Sequence, residues 1–293
     1  MALSLVDFER RTPTPADWII PNLLTRHNTL FLMGQPKKSC KSWLFLAAAW
    51  DLAEGLPIWG ITSLRPERAM RTVYFTQEDS EDNIHTRIHA HLDVGHRPAN
   101  DGVWVVPKNL NIKLDTATGR RLVQDELDGV REKVGAIDLV MFDPMRRIHN
   151  GNENDSETIA EMWDVIDRIH KRYDCATAIS HHTVKPPRGD AREGWDPTDP
   201  FTGRGSGDIY GGGDAFVVVV PGAMAKDMMS RRIGAYFESK REQQMAPALL
   251  RVDFNTGKVE HLGRGEEPAN TEPSEEGKKD LTFDATGSYN SGV

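Results

Sequence analysis

The sequence has only two cysteines in 293 residues, Cys40 and Cys175. That is too few for a disulfide framework, and such scarcity belongs to a reducing compartment. No apolar run is long enough to span a bilayer. The longest, around Trp43 to Trp50 and Phe216 to Val220, fall well short of the ~20 residues that a crossing needs. The opening stretch, MALSLVDFERR, has no apolar core of signal-peptide length. Positive charge is in deficit as well, with 36 Lys+Arg against 44 Asp+Glu and a formal net charge of -8. A surface that coats duplex DNA is thereby excluded, and any nucleic-acid contact is confined to a local patch. These absences predict a soluble cytoplasmic protein without a membrane partner, long enough for one large or two small domains.

The richest stretch is TLFLMGQPKKSCKSWLFLAAAW, from Thr29 to Trp50. A buried strand (Thr29–Met33) leads into a loop with Gly34, Pro36, Lys37, Lys38, Ser39 and Cys40, and Lys41-Ser42 opens an Ala-rich helix. Strand, basic loop and helix is the layout of a triphosphate site. Backbone N–H groups and the helix N-terminus cradle phosphates, a Lys reaches the β/γ oxygens, and a Ser hydroxyl holds Mg²⁺. The usual spacing is G-x-x-x-x-G-K-[ST]. Here Cys40 stands where the second glycine belongs, and Gly34 lies one residue too far from Lys41. A small residue such as Cys is tolerable where backbone nears ligand. An ordinary basic loop would read the same way from this segment alone.

Further strands are expected at Thr72–Thr76, Val103–Val106, Leu139–Phe142, Ala176–Ser180 and Phe216–Val220. Helices are expected at Ser42–Glu54, Ser80–Leu92, Gly119–Lys133, Ser156–Tyr173 and near Asp208. Alternation of this kind predicts an α/β fold with a mostly parallel sheet flanked by helices. Arg232–Glu238, Ala248–Phe254, a turn at Asn255-Thr256-Gly257 and Lys258–Leu262 predict a C-terminal antiparallel β appendix. Residues 1–28 read as an N-terminal arm with Trp18-Ile19-Ile20 as its anchor, 29–262 as the catalytic domain, and 263–293 as a disordered acidic tail. Residues 184–207, dense in Pro, Gly and Asp and without periodicity, read as unstructured, and a loop of that length is usually functional or mobile.

Other strands must supply partners at their C-terminal ends, where ligands sit in open α/β sheets. Leu139–Phe142 ends in Asp143, the type of carboxylate that holds Mg²⁺ in P-loop enzymes, or simply the start of a turn with Pro144. Thr72–Thr76 ends in Gln77-Glu78-Asp79. Glu78 is the better candidate for a base that deprotonates water, while Asp79 or Ser80 can cap the next helix. His181 and His182 follow Ala176–Ser180. Neighbours on a strand point to opposite faces, so both cannot hold one ion, and a sensor of the γ-phosphate is the better reading. Asn154, three residues before Glu157, suits the start of the long helix.

Taken in order, GQPKKSCKS, FTQEDS, VMFDPMRRIHNGNEND, ISHHTVK and TGRGSGDIY resemble the RecA-like ATPases of the plasmid RepA hexameric helicase type, over nearly all of residues 15–262. The resemblance implies a RecA-like P-loop core, ATP and Mg²⁺ as cofactors, and a homo-oligomer, in that family a hexameric ring. Nucleotide would be held by Gly34, Pro36, Lys38, Ser39, Cys40, Lys41, Ser42 and Trp43, and metal by Ser42 and Asp143. Glu78 would be the catalytic base, and His182, or its neighbour His181, the γ-phosphate sensor. Arg204 would reach the neighbouring subunit's site, with Lys240 a second trans-acting cation. Glu242 stands where the family pattern continues with Arg, so no role follows for Arg241.

Segments after the Asp143 and His182 strands face the channel of such rings. That assigns single-stranded DNA to Arg147, Lys185, Arg188 and Arg192, which could equally be solvated loop charges. The implied activity is an ATP-driven DNA helicase of plasmid or phage replication. The alternatives are a single-strand-binding ATPase without unwinding, or a low-turnover ATP-binding module. The acidic tail suits a basic protein partner, or none.

Overall fold

The computed structural model of the chain describes residues 4–10, 12, 15–93, 101–108, 110–187, 195–205, 207–240 and 245–265. A five-residue helix, α1 (Leu5–Glu9), precedes a small antiparallel pair, β1 (Trp18–Ile20) and β2 (Leu24–Thr25). Ile19, Ile20, Leu23 and Leu24 are buried. The N-terminal arm therefore ends in a hairpin stitched to the core, not only in an apolar anchor.

The central strands form where apolar runs are nearly continuous, as strands covered on both faces require. They are β3 (Thr29–Gly34), β4 (Thr72–Thr76), β5 (Val103–Val106), β6 (Leu139–Asp143), β7 (Ala176–His182) and β8 (Ala215–Met224). Between them run α2 (Lys41–Glu54), α3 (Glu81–Asp93), α4 (Ala117–Val134), α5 (Ser156–Tyr173) and the short α6 (Gly207–Gly212). The antiparallel appendix is β9 (Ser230–Ser239), β10 (Ala248–Asp253) and β11 (Val259–Arg264). One nine-stranded sheet results, in the order β11-β10-β9-β8-β3-β7-β6-β4-β5, parallel from β8 to β5 and antiparallel from β8 to β11.

Alternate residues of β3 face the two layers. Leu30 and Leu32 pack with α2, while Phe31 and Met33 pack with the α4 and α5 side. α2 buries Leu44 to Trp50 without a break, which is why its Ala-rich sequence shows no polar face. None of the helices among the described residues is long and apolar enough to cross a membrane.

Several expected boundaries shift. The start of α5 is capped by Asp155, not Asn154: Asp155 accepts from the Glu157 backbone N–H at 3.4 Å and from Thr158 Oγ1 at 2.9 Å. The described residues of the loop expected over 184–207 carry structure. Thr183 bridges Gly203, the Val184 N–H donates to the Thr202 carbonyl at 2.8 Å, and a helical turn covers Pro200–Thr202. β11 runs through Arg264, two residues into the segment expected to be a disordered tail. Residues 266–293, Arg188, Arg192, Arg241 and Glu242 lie outside the described residues.

A candidate nucleotide site at the carboxyl edge of the sheet

Register brings the site together. Gly34, at the end of β3, pairs with His182 at the end of β7, and Thr76 on β4 pairs with Asp143 on β6. Four strand ends thus meet at one edge of the sheet, where the loops that follow can share a ligand.

The loop from Gln35 to Cys40 folds tightly back on β3. A Cβ at Gly34 would come within 2.6 Å of Ser39 Oγ and 2.7 Å of Val219 Cγ2, so only glycine fits there. Ser39 is fully buried and donates to the Gln35 carbonyl at 2.6 Å. Lys37 (φ 64°) and Cys40 (φ 56°) both take left-handed backbone. Cys40 thus adopts the conformation that the missing glycine would favour, and α2 starts directly behind it. Burial pushes the Cys40 thiol up to about 11.

The Lys41 side chain turns back under the loop. Its Nζ donates to the carbonyls of Gly34 (3.0 Å) and Gln35 (3.3 Å) and to Ser39 Oγ (3.3 Å). Burial lowers its pKa to about 8, against the opposing pull of Asp143 and Glu78. Asp143 is buried, and its two oxygens accept hydrogen bonds from Tyr74 OH (2.7 Å) and Ser180 Oγ. Proximity to that carboxylate, after burial itself, drives the Tyr74 hydroxyl well above its usual pKa.

These residues surround a cleft of about 550 Å³. Pro36, Lys38, Ser39, Cys40, Lys41, Ser42 and Trp43 line one side of it. Asp143, Glu78 and His182 line another. Gly34 lies beneath the loop and shapes it without lining the cleft. Glu78 is exposed on the rim, while Asp79 is committed to Arg87 in an ion pair and Ser80 accepts the Asn83 N–H at the start of α3.

The two histidines separate as strand geometry requires. His182 Nδ1 is buried at the cleft without a hydrogen-bond partner among the described residues, and burial holds its pKa down near 4, so the ring is neutral at pH 7. His181 points to the other face, 6.3 Å from the Phe31 ring, with Nε2 2.5 Å from the Arg204 carbonyl. Of the two, His182 is the one at the cleft.

A second, basic cleft of about 380 Å³ adjoins the first and shares Glu78 and His182 with it. Lys113, Arg146, Arg147, His149 and Asn150 line it. Lys113 Nζ donates to the carbonyls of Arg147 (2.7 Å) and His149 (3.2 Å), which fixes this loop beside Glu78. Lys185 is exposed and lines neither cleft.

Arg204 and Lys240 do not line the first cleft of their own chain. Arg204 is exposed, its main chain held by a 2.9 Å hydrogen bond from its N–H to the His182 carbonyl. Lys240 Nζ donates to the Tyr210 (2.6 Å) and Gly211 (2.9 Å) carbonyls at the end of α6 and lies 4.9 Å from the Tyr210 ring centroid.

Sequence reasoning missed several residues of the site. Tyr74 and Ser180 anchor Asp143 from neighbouring strands, and Ser180 was visible as a hydroxyl near the carboxyl end of an apolar strand. Phe254 and Arg231 reach the cleft from the appendix, and Met224 from the end of β8. Phe254 packs on Trp43 at 5.7 Å between centroids, Arg87 lies 5.2 Å above the same indole, and Arg231 donates to the Lys38 carbonyl at 2.7 Å. No local signal marks these three.

A family model for an AAA domain (AAA_25) matches residues 1–188. The matched part carries Lys41, Ser42, Glu78, Asp143 and His182, and stops short of Arg204. The chain belongs to this AAA family of P-loop ATPases.

Proposed function

We propose that the chain is an ATP-driven DNA helicase that works as a ring on single-stranded DNA, with ATP hydrolysed at subunit interfaces. The observation that carries this reading is the pair of adjoining clefts: one with phosphate-binding chemistry, one basic, joined through Glu78 and His182.

The residues present fit a nucleotide with Mg²⁺. The cradle closes over Gly34, the Lys41 ammonium is already inside it, and the His182 Nδ1 atom has no protein partner. Lys41 and the N–H groups ahead of α2 bind the phosphates, and Ser42 and Asp143 hold the metal. Bound ATP and Mg²⁺ supply an activated phosphoryl group and charge neutralisation. Glu78 orients and deprotonates the attacking water. Neutral His182 offers one ring nitrogen to the γ-phosphate. Trp43 and Phe254 form an apolar wall at the outer end of the cleft, suited to the base.

Arg204 supplies the missing positive charge to the neighbour's cleft, a contribution of roughly 10³- to 10⁵-fold in rate for such residues. Lys240 is the second trans-acting cation once it leaves the α6 carbonyls. Arg147, Lys185, Arg188 and Arg192, repeated around a ring, give a positive channel although each chain is acidic. Single-strand affinity then falls with salt at a slope of about −0.7 per phosphate neutralised.

The test is strand displacement on a forked duplex with ATP and Mg²⁺, alongside ATPase activity as a function of protein concentration. Unwinding that requires ATP, with specific activity falling on dilution, is expected. Flat specific activity down to a demonstrated monomer overturns the interface site. ATP hydrolysis without displacement leaves a single-strand-binding ATPase.

One observation favours a slower enzyme. Lys41 Nζ is tied to loop carbonyls and both Asp143 oxygens accept protein donors, so binding must rearrange both. In a low-turnover ATP-binding module, Lys41→Ala removes binding but changes little else. In the motor it abolishes unwinding.

A further inference from the structure

A groove of about 280 Å³ lies between α4 and α5, on the opposite face of the sheet from α2. Its floor is apolar: Val123, Leu127, Val165 and Ile169, all buried. Its rim carries Arg120, Arg121, Arg168 and Arg172, and no carboxylate among the described residues lines it. Arg172 meets Asp128 at 2.7 Å and Arg121 stands 3.6 Å from Asp125, outside the groove. Arg168 is exposed and has no ion-pair partner among the described residues. Four guanidinium groups around an apolar floor, in a chain of net charge -8, suit a ligand with apolar anchors flanked by carboxylates.

We propose that this groove receives a segment of the same chain, Asp280-Leu281-Thr282-Phe283-Asp284. Residues 266–293 carry seven Asp and Glu against two Lys, and Leu281 and Phe283 are close together between two of those acids. In an extended segment, Leu281 and Phe283 point to one side. They enter the floor, while the long rim arginines reach over to Asp280 and Asp284, which the same alternation puts on the outer side at either end.

The reach suffices. β11 runs antiparallel to the central strands and directs the chain beyond Arg264 toward the end of the sheet where α5 finishes. β11 lies five to six strand spacings from β7 and β6, which α5 connects, a distance of about 24–29 Å. The 16 residues from Gly265 to Asp280 span up to about 53 Å when extended.

The test uses the full chain with a photoreactive benzophenone amino acid in place of Phe283. After irradiation of dilute protein, cross-links are mapped by mass spectrometry. Cross-links within one chain to residues 117–127 and 165–173 are expected. R121E/R168E lowers their yield about tenfold, the effect of two reversed ion pairs worth a factor of a few each. D280K/D284K does the same without touching α4 or α5, and so covers the case in which the arginine variant misfolds. The two pairs of changes together restore the cross-link. Cross-links that map elsewhere, that form only between chains, or that survive both charge reversals overturn the proposal.

Discussion

Cys40 holds φ 56° and ψ 22° at the turn into α2. A β-carbon in that conformation costs on the order of 1 kcal/mol, and glycine is free of the cost. Cys40→Gly is therefore expected to raise stability by about 1 kcal/mol, while Cys40→Ala, which keeps the β-carbon, does not. Urea denaturation of the three proteins decides between them. A glycine variant no more stable than the alanine variant shows that the thiol's packing outweighs the backbone.

His170 behaves oppositely to a surface histidine. It is buried, its Nε2 lies 3.1 Å from Thr177 Oγ1, and burial, followed by the charge of His27, lowers its pKa to about 4. The unfolded chain takes up this proton near pH 6.5, the folded chain only near 4. Between those values the unfolded state binds more protons, so stability falls as pH falls through that window, by up to about 3 kcal/mol. His182 adds a loss of the same sign. Urea midpoints at pH 7 and pH 4.5 should differ less in His170→Gln than in the wild type. An equal difference removes His170 from the explanation.

At the scale of elements, the phosphate loop depends on close approach. Gly34→Ala drives a Cβ into Ser39 and Val219, both packed, and is expected to cost about 1–3 kcal/mol, as overpacking does. Nucleotide affinity should drop with it, because the cradle itself must move. Titration with a fluorescent nucleotide alongside a thermal melt checks both; a variant that binds normally shows that the loop has slack. For α5, Asp155→Ala removes the cap and is expected to cost about 1 kcal/mol, whereas Asn154→Ala costs little. Equal losses from the two in urea denaturation would move the cap back to Asn154.

Much of this scale was legible in the sequence. β4, β5 and α5 run where their apolar patterns put them, because continuous apolar runs and a clear 3.6-residue stripe admit few alternatives. The three-residue β1 and two-residue β2 escaped notice, since segments that short show no period. Lys41, Glu78, Asp143 and His182 could be anticipated at the cleft because each lies at, or in the segment after, the carboxyl end of a strand. The partners of Asp143 and the Phe254 and Arg231 contributions could not, because they depend on strand register and on an appendix folding back over the loop.

For the whole molecule, charge and topology act together. An acidic chain can still present a basic cleft next to its nucleotide site, because Lys113, Arg146 and Arg147 are gathered by the loop behind Asp143. Arg204 lines no part of its own chain's nucleotide cleft, so a catalytic role for it requires a neighbour. The decisive measurement is ATPase activity of an equimolar mixture of Lys41→Ala and Arg204→Ala proteins, each inactive alone. Random assembly gives about one interface in four with both Lys41 and Arg204 intact, at which the roughly 10³-fold or greater contribution of the arginine is restored. Catalysis across the interface predicts recovery of near a quarter of wild-type activity. A mixture as inactive as its components, or an Arg204→Ala protein as active as the wild type, contradicts it.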